Sequence, residues 1–172
     1  DPKKYVMAPA NAIAKHPVVE ARAKALTEYA ESCSLNRAEL SADKSLGIIT
    51  SGTCYQYVKE IYGDSVSVLK LGLVNPLPEK LIIDFAARHD RVVVIEELDP
   101  IIENHVKSLG IEATGKELFS ILGEFSQNTI SKAFGKDDIY SVKADSVIPP
   151  RPPMMCAGCP HRGMFYTLSK NK

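Results

Sequence analysis

The chain has 172 residues, 45% of them apolar, and its 21 basic residues balance 21 acidic ones. No basic stripe points to nucleic acid and no acidic tail points to disorder. The longest apolar runs fall far short of the ~20 residues of a membrane span, and residues 1–30 lack the basic-then-apolar pattern of a secretory leader.

A domain of this size buries roughly 70% of its unfolded surface. The four cysteines are therefore not needed as disulfide staples, and a reducing, cytoplasmic setting is expected. Asp1 stands where an initiator Met would, and the last residues read as a helix start with nothing after it. Both ends suggest a piece of something larger.

Residues 1–45 read as a connecting segment. Pro17 suits the first turn of a helix running to about Glu31. Val19, Ala23, Leu26 and Ala30 would form one stripe on it. Residues 32–45 are polar and read as loop. From Leu46 the pattern changes to alternating strand and helix. Leu46–Thr50 is a short apolar strand ending at Ser51-Gly52, and Cys54, Tyr57, Val58 and Ile61 mark the helix after it. Gly63-Asp64 turns the chain into a second strand, Ser65–Leu71. Pro76-Leu77-Pro78 leads to a helix carrying Leu81, Ile82, Phe85 and Ala86. Val92–Ile95 is apolar throughout, as expected of a strand covered on both faces.

Ile102, Val106 and Leu109 mark the next helix, with Gly110 placed to end it. Residues 111–116 suit a short strand. Ser126 caps a last helix reaching Phe134, and Gly135 stops it. The order βαβαβα plus one more strand predicts an α/β fold, a mostly parallel sheet between two helical layers. Residues 136–155 read as a polar linker and a proline-rich arm.

Ligands of such a sheet bind beyond the carboxyl ends of its strands. The residues expected there are Ser51, Gly52 and Thr53; Gly72 and Asn75; and Glu96, Glu97 and Asp99. Ser51-Gly52-Thr53 resembles a phosphate-cradling turn at a helix start. It lacks the full glycine pattern, and a turn that only caps its helix explains it as well. Glu96 and Glu97 suit acid–base work, yet loop or subunit contact accounts for them too. His16, His89 and His105 stand alone and read as helix-surface or cap residues. Tyr55, Tyr57 and Tyr62 on one helix read as packing, as do Phe165 and Tyr166.

The densest chemistry is Cys156-Ala157-Gly158-Cys159-Pro160-His161-Arg162. A Cys-x-x-Cys turning at Gly158 can aim two thiolates at one metal or cluster. A cluster needs about four such ligands, and Cys33 and Cys54 lie in other elements. A thioredoxin-like redox pair would follow a strand directly, whereas a proline arm precedes this one. Two readings stand: part of a ligand set completed elsewhere, or two thiols packed in a tight turn before a helix.

These residues carry a resemblance. Pro150-Arg151-Pro152-Pro153, the Cys156–Arg162 element and Phe165-Tyr166 resemble the alpha subunit of indolepyruvate ferredoxin oxidoreductase. That family belongs to the thiamine-diphosphate-dependent 2-oxoacid:ferredoxin oxidoreductases. Tyr5-Val6-Met7, Pro9–Ala12, Leu71-Gly72, Pro76–Glu79, Val94–Glu97 and Gly123-Glu124-Phe125 fit the same family, so the resemblance covers nearly the whole chain.

It implies oxidative decarboxylation of aryl pyruvates in anaerobic metabolism. Coenzyme A would accept the acyl group and ferredoxin the electrons, with a beta subunit as partner and a homodimer left open. The parent's cofactors would be thiamine diphosphate with magnesium, and 4Fe–4S clusters. Residues 46–135 would resemble the transketolase C-terminal domain, a three-layer α-β-α fold. Residues 1–45 would be linker and helix from the preceding domain. Residues 136–172 would be linker, arm and the start of the diphosphate-binding domain.

Carried over, Cys156 and Cys159 become candidate cluster ligands, and Gly158, His161 and Arg162 candidate cofactor-side residues. Relatives carry a shorter glycine–acid ending where this chain has Pro160-His161-Arg162. The glutamate that activates thiamine is not found, nor is a Gly-Asp-Gly…Asn magnesium site; Gly63-Asp64-Ser65 does not complete that pattern. The chain is therefore expected to be a structural, interdomain piece, inactive alone and holding none of these cofactors by itself. Two alternatives are a stand-alone domain binding a small anion at Ser51–Thr53, and a metal-binding module built on Cys156, Cys159 and His161.

Overall fold

The computed structural model describes residues 1–139, 147, 149 and 154–171. They fall into two compact units, divided between residues 140 and 141. The Pro150–Pro153 arm lies outside the described residues.

The first unit is built on a five-stranded sheet of order β1-β3-β2-β4-β5. Its strands are β1 (Arg37–Glu39), β2 (Gly47–Ser51), β3 (Ser67–Leu71), β4 (Val92–Ile95) and β5 (Ala113–Thr114). Strands β3, β2, β4 and β5 run parallel, and β1 adds an antiparallel edge to β3. The connecting helices are α3 (Cys54–Tyr62), α4 (Glu79–Ala86), α5 (Ile101–Ser108) and α6 (Gln127–Ala133).

Side chains alternate across the pleat. Ile49, Leu69, Leu71, Val92 and Val94 therefore pack with Ile82 and Phe85 of α4 and with Ile102 and Val106 of α5. Ile48, Val68, Val93 and Ile95 pack with Cys54, Tyr55 and Val58 of α3 and with Ile130 of α6. This is the three-layer α/β fold expected. Each of these fully buried aliphatic or aromatic side chains contributes about 1.5–3 kcal/mol relative to exposure. The punctuation expected of glycine also holds. Gly110 (φ 79°) and Gly135 (φ 68°) stand one residue past the C-caps of α5 and α6 in left-handed conformation. The Ser126 hydroxyl caps α6, accepting from the Thr129 amide at 3.2 Å.

Residues 1–45 differ from expectation at the start of the helix and in the loop after it. The helix does not begin at Pro17: after a short α1 (Pro2–Tyr5), α2 runs Pro9–Ala30 with Pro17 inside it. Pro9 takes the first-turn position instead, and Ala10, Ala12 and Ala14 carry the helix toward Pro17. Val19, Ala23, Leu26 and Ala30 all lie in this helix, and of them only Ala30 is buried. Residues 32–45 are not all loop either, because Arg37–Glu39 is β1. That strand has no apolar alternation to reveal it. It forms because the edge of β3 offers unpaired backbone groups. No helix among the described residues is long and apolar enough to cross a membrane.

In the second unit, Met154–Pro160 leads into α7 (His161–Lys170). All residues of α7 are exposed. Met164, Phe165 and Tyr166 thus do not pack within the described residues, contrary to the packing expected for the two aromatics.

Candidate functional site

The chain leaves β2 to form β3 on one side, then crosses to form β4 on the other side of β2. Loops diverge at that point and leave a crevice at the carboxyl ends. A cavity of about 390 Å³ lies there, lined by Ser51 at the end of β2, by Gly52 and Thr53 after it, and by Glu96, Glu97 and Asp99 after β4. Sequence reasoning placed these six residues at the carboxyl ends, and the fold brings them to one cavity. Gly72 lies apart, in a neighbouring cleft of about 440 Å³ between β2 and β3 with Lys70 and Tyr55. Asn75 lines neither.

Two of the three carboxylates are already engaged. Glu96 is buried, and its two oxygens accept from the Ile102 and Glu103 amides at 2.9 and 2.8 Å. It thereby caps α5, whose own N-cap, Pro100, supplies no side-chain acceptor. Glu97 accepts from the Phe125 amide at 2.7 Å and ties down the loop before α6. These contacts support the loop reading of the pair over acid–base work. Cys54 closes the floor of the cavity. Burial, and then the neighbouring Glu97 charge, push its thiol up to about 11, so it stays protonated at neutral pH. Leu98 adopts a left-handed conformation (φ 58°) and is exposed at the rim.

The cavity is lined by three carboxylates and no basic side chain, with the Lys116 ammonium close by, donating to the Glu96 carbonyl. The Ser51–Thr53 turn leads directly into α3 at Cys54.

Sequence reasoning missed a charged hub at the sheet edge. Glu39 accepts from Arg37 Nε at 2.8 Å and from the Tyr55 hydroxyl at 2.7 Å, and it pairs with Lys59 at 3.1 Å. Burial alone would raise the Glu39 carboxyl; donation from Arg37, Tyr55 and Lys59 overrides it and holds the group at about 2. Only the pairing of β1 with β3 brings these residues together. The histidines behave as expected of isolated ones. His89 stacks on Phe85 with ring centroids 4.5 Å apart, and its Nδ1 lies 2.8 Å from the Phe85 carbonyl.

Cys156 to Arg162 form one local structure. Gly158 turns the chain at φ 81°, the Cys159 amide donates to the Cys156 carbonyl at 3.1 Å, and the Arg162 amide donates to the Cys159 carbonyl at 3.1 Å. His161 and Arg162 open α7. Cys156 is exposed, Cys159 half-buried, and both are free thiols. The packed-thiol reading does not hold for Cys156. Among the described residues, no group of three or more His, Cys, Asp or Glu side chains is placed to hold a metal. The turn thus offers two thiols toward a cluster that needs about four ligands. These residues do not by themselves fit a cluster, nor a three-ligand zinc site with His161.

Comparison with known proteins follows the same lines. No protein-family model matches the chain. Over 99% of its length it is 32% identical to indolepyruvate oxidoreductase subunit IorA of Thermococcus kodakarensis. It is 33% identical to the same subunit of Pyrococcus horikoshii and of Archaeoglobus fulgidus, over 99% and 98% of the chain. The chain is thus similar to part of an IorA subunit along nearly its whole length. It spans 30% of the length of these IorA relatives. A solved 2-oxoglutarate:ferredoxin oxidoreductase from Magnetococcus marinus, with 2-oxoglutarate, coenzyme A and succinyl-CoA bound, matches at TM-score 0.56 and 19% identity. The match covers 75% of this chain and 23% of that one, and it shows a shared fold.

Proposed function

We propose that this chain is a connecting segment of an indolepyruvate ferredoxin oxidoreductase and that its own work is structural. The observation that carries this is the match to IorA across 99% of the chain but 30% of the relative. The parent enzyme would oxidatively decarboxylate aryl pyruvates, pass the acyl group to coenzyme A and the electrons to ferredoxin, and work in the cytoplasm with a beta subunit. Thiamine diphosphate, magnesium and 4Fe–4S clusters would belong to that parent.

Residues 1–45 would link from the preceding domain and lend β1 to the sheet edge, 46–135 would form the rest of the central α/β domain, and 136–172 would open the diphosphate-binding domain. Cys156 and Cys159 would then be two donors of a ligand set completed by other parts of the parent, with Gly158 shaping their turn and His161 and Arg162 facing the cofactor side. Two observations support a non-catalytic role for the chain alone. The cavity carboxylates Glu96 and Glu97 are bonded to backbone amides. The cysteine turn lacks a third donor among the described residues.

The test is an anaerobic assay of the purified chain with indolepyruvate, coenzyme A, thiamine diphosphate, magnesium and ferredoxin. No turnover is expected from the chain, and turnover is expected from the whole parent expressed with its beta subunit. Turnover by the chain alone would overturn the structural role; an inactive parent would overturn the assigned reaction.

A further inference from the structure

The seven residues from Ala30 to Asn36 carry more contacts than a linker requires. Glu31 is the C-cap of α2, and its two carboxylate oxygens accept from the Lys80 and Leu81 amides at 3.0 and 2.9 Å. Those are first-turn amides of α4, whose own N-cap, Pro78, provides no side-chain acceptor. Such amides carry the positive end of the helix dipole, so a carboxylate is the side chain best suited to them.

Five residues on, Asn36 is buried. Its Oδ1 accepts from the Gly72 and Leu73 amides, both at 2.9 Å, where the chain leaves β3. Its Nδ2 donates back to the Ala30 carbonyl at 2.9 Å, at the last residue of α2. The fit extends to the backbone: a Cβ on Gly72 would lie 2.5 Å from the Leu35 carbonyl oxygen. Residues 31–46 contain no glycine and no proline, so the composition of a flexible linker is missing.

We propose that Glu31 and Asn36 form a two-point clip that fixes α2 to the carboxyl edge of the sheet, so that this helix and the α/β domain move as one body. One anchor would leave the helix free to pivot. Two anchors, on α4 and on the end of β3, fix its direction, and both act within six residues of its end. α2 is roughly 33 Å long at 1.5 Å per residue, and all but its last residue is unburied. Its direction therefore depends on the clip rather than on packing along its length. The proposal concerns this chain alone and stands apart from the reaction assigned to the parent.

Nuclear spin relaxation and amide exchange on the 172-residue chain test it. In the unaltered chain, amides from Val18 to Tyr29 should share the tumbling time of β2 and β4. In the E31A/N36A double variant they should reorient faster than the sheet. Exchange at Gly72, Leu73, Lys80 and Leu81 should rise about tenfold or more, while β2 and β4 keep their protection. Separate tumbling of α2 in the unaltered chain, or unchanged coupling in the double variant, would overturn the clip. Should the double variant not fold, E31A alone decides: exchange must rise at Lys80 and Leu81 and not at Gly72 and Leu73. A rise at all four amides alike, or at none, refutes separate anchors.

Discussion

The cavity beyond β4 and the cysteine turn before α7 both concentrate groups able to bind a cofactor, and they use them in opposite ways. At the cavity, Glu96 and Glu97 face inward and backbone amides claim their oxygens. At the turn, local backbone bonds hold two free thiols, with no third donor among the described residues. Reactive residue types beside a cavity therefore do not make a site until their lone pairs are shown to be unspoken for. An exposed, well-shaped turn with an incomplete donor set points outside itself.

The largest test of this contrast is Glu96→Ala. It removes the acceptor of two α5 amides beneath the cavity, and a loss of about 2–3 kcal/mol of unfolding free energy is expected in urea titration. A loss under about 0.5 kcal/mol, the usual size of a surface change, would break the comparison by showing that this carboxylate is not structural.

Acidification probes the third engaged carboxylate, Glu39. Its folded value is about 2, below the ~4.3 of a free glutamate. The stabilisation is therefore complete above the unfolded value and is lost as pH falls from about 4.3 toward 2. On the order of 1–2 kcal/mol should disappear in that window once screening is included. Glu39→Gln should remove that contribution from the pH profile; an unchanged profile would place the acid sensitivity elsewhere.

Thiol labelling sharpens the contrast directly. Cys156 and Cys159 should react first in the native chain at pH 8. Cys54, with its thiol raised to about 11 and buried, should react at least ~10-fold more slowly until the chain is unfolded. Equal rates at Cys54 and Cys156 would contradict the assigned burial. The smallest effect is expected from Cys156→Ser, which should change unfolding by no more than about 0.5 kcal/mol. A greater loss would mean that the turn is packed after all. In the parent enzyme, the same change should lower iron–sulfur content if these thiols are ligands.

Much of the central domain was legible because its signals are local. Val92–Ile95 is a continuous apolar run, Ser126 and Gly135 bound α6, and Gly110 ends α5. Each follows from periodicity or from the conformations a single residue can adopt. The candidate site was legible in part. Strand order could be expected to collect the carboxyl-end residues, yet only coordinates reveal that Glu96 caps α5 or that Glu97 holds Phe125. Nothing in Arg37–Glu39 marks a strand, because its pattern is polar and its stability comes from β3.

The alternation of strand and helix, the three layers, the turn at Gly158 and the resemblance to IorA could all be read along the chain, since they rest on local propensity, apolar periodicity and motif. Tertiary structure alone decided which charged groups are free. Glu31, Asn36, Glu39 and Glu97 each meet a partner sixteen to fifty residues away, and no local pattern encodes a contact across that distance.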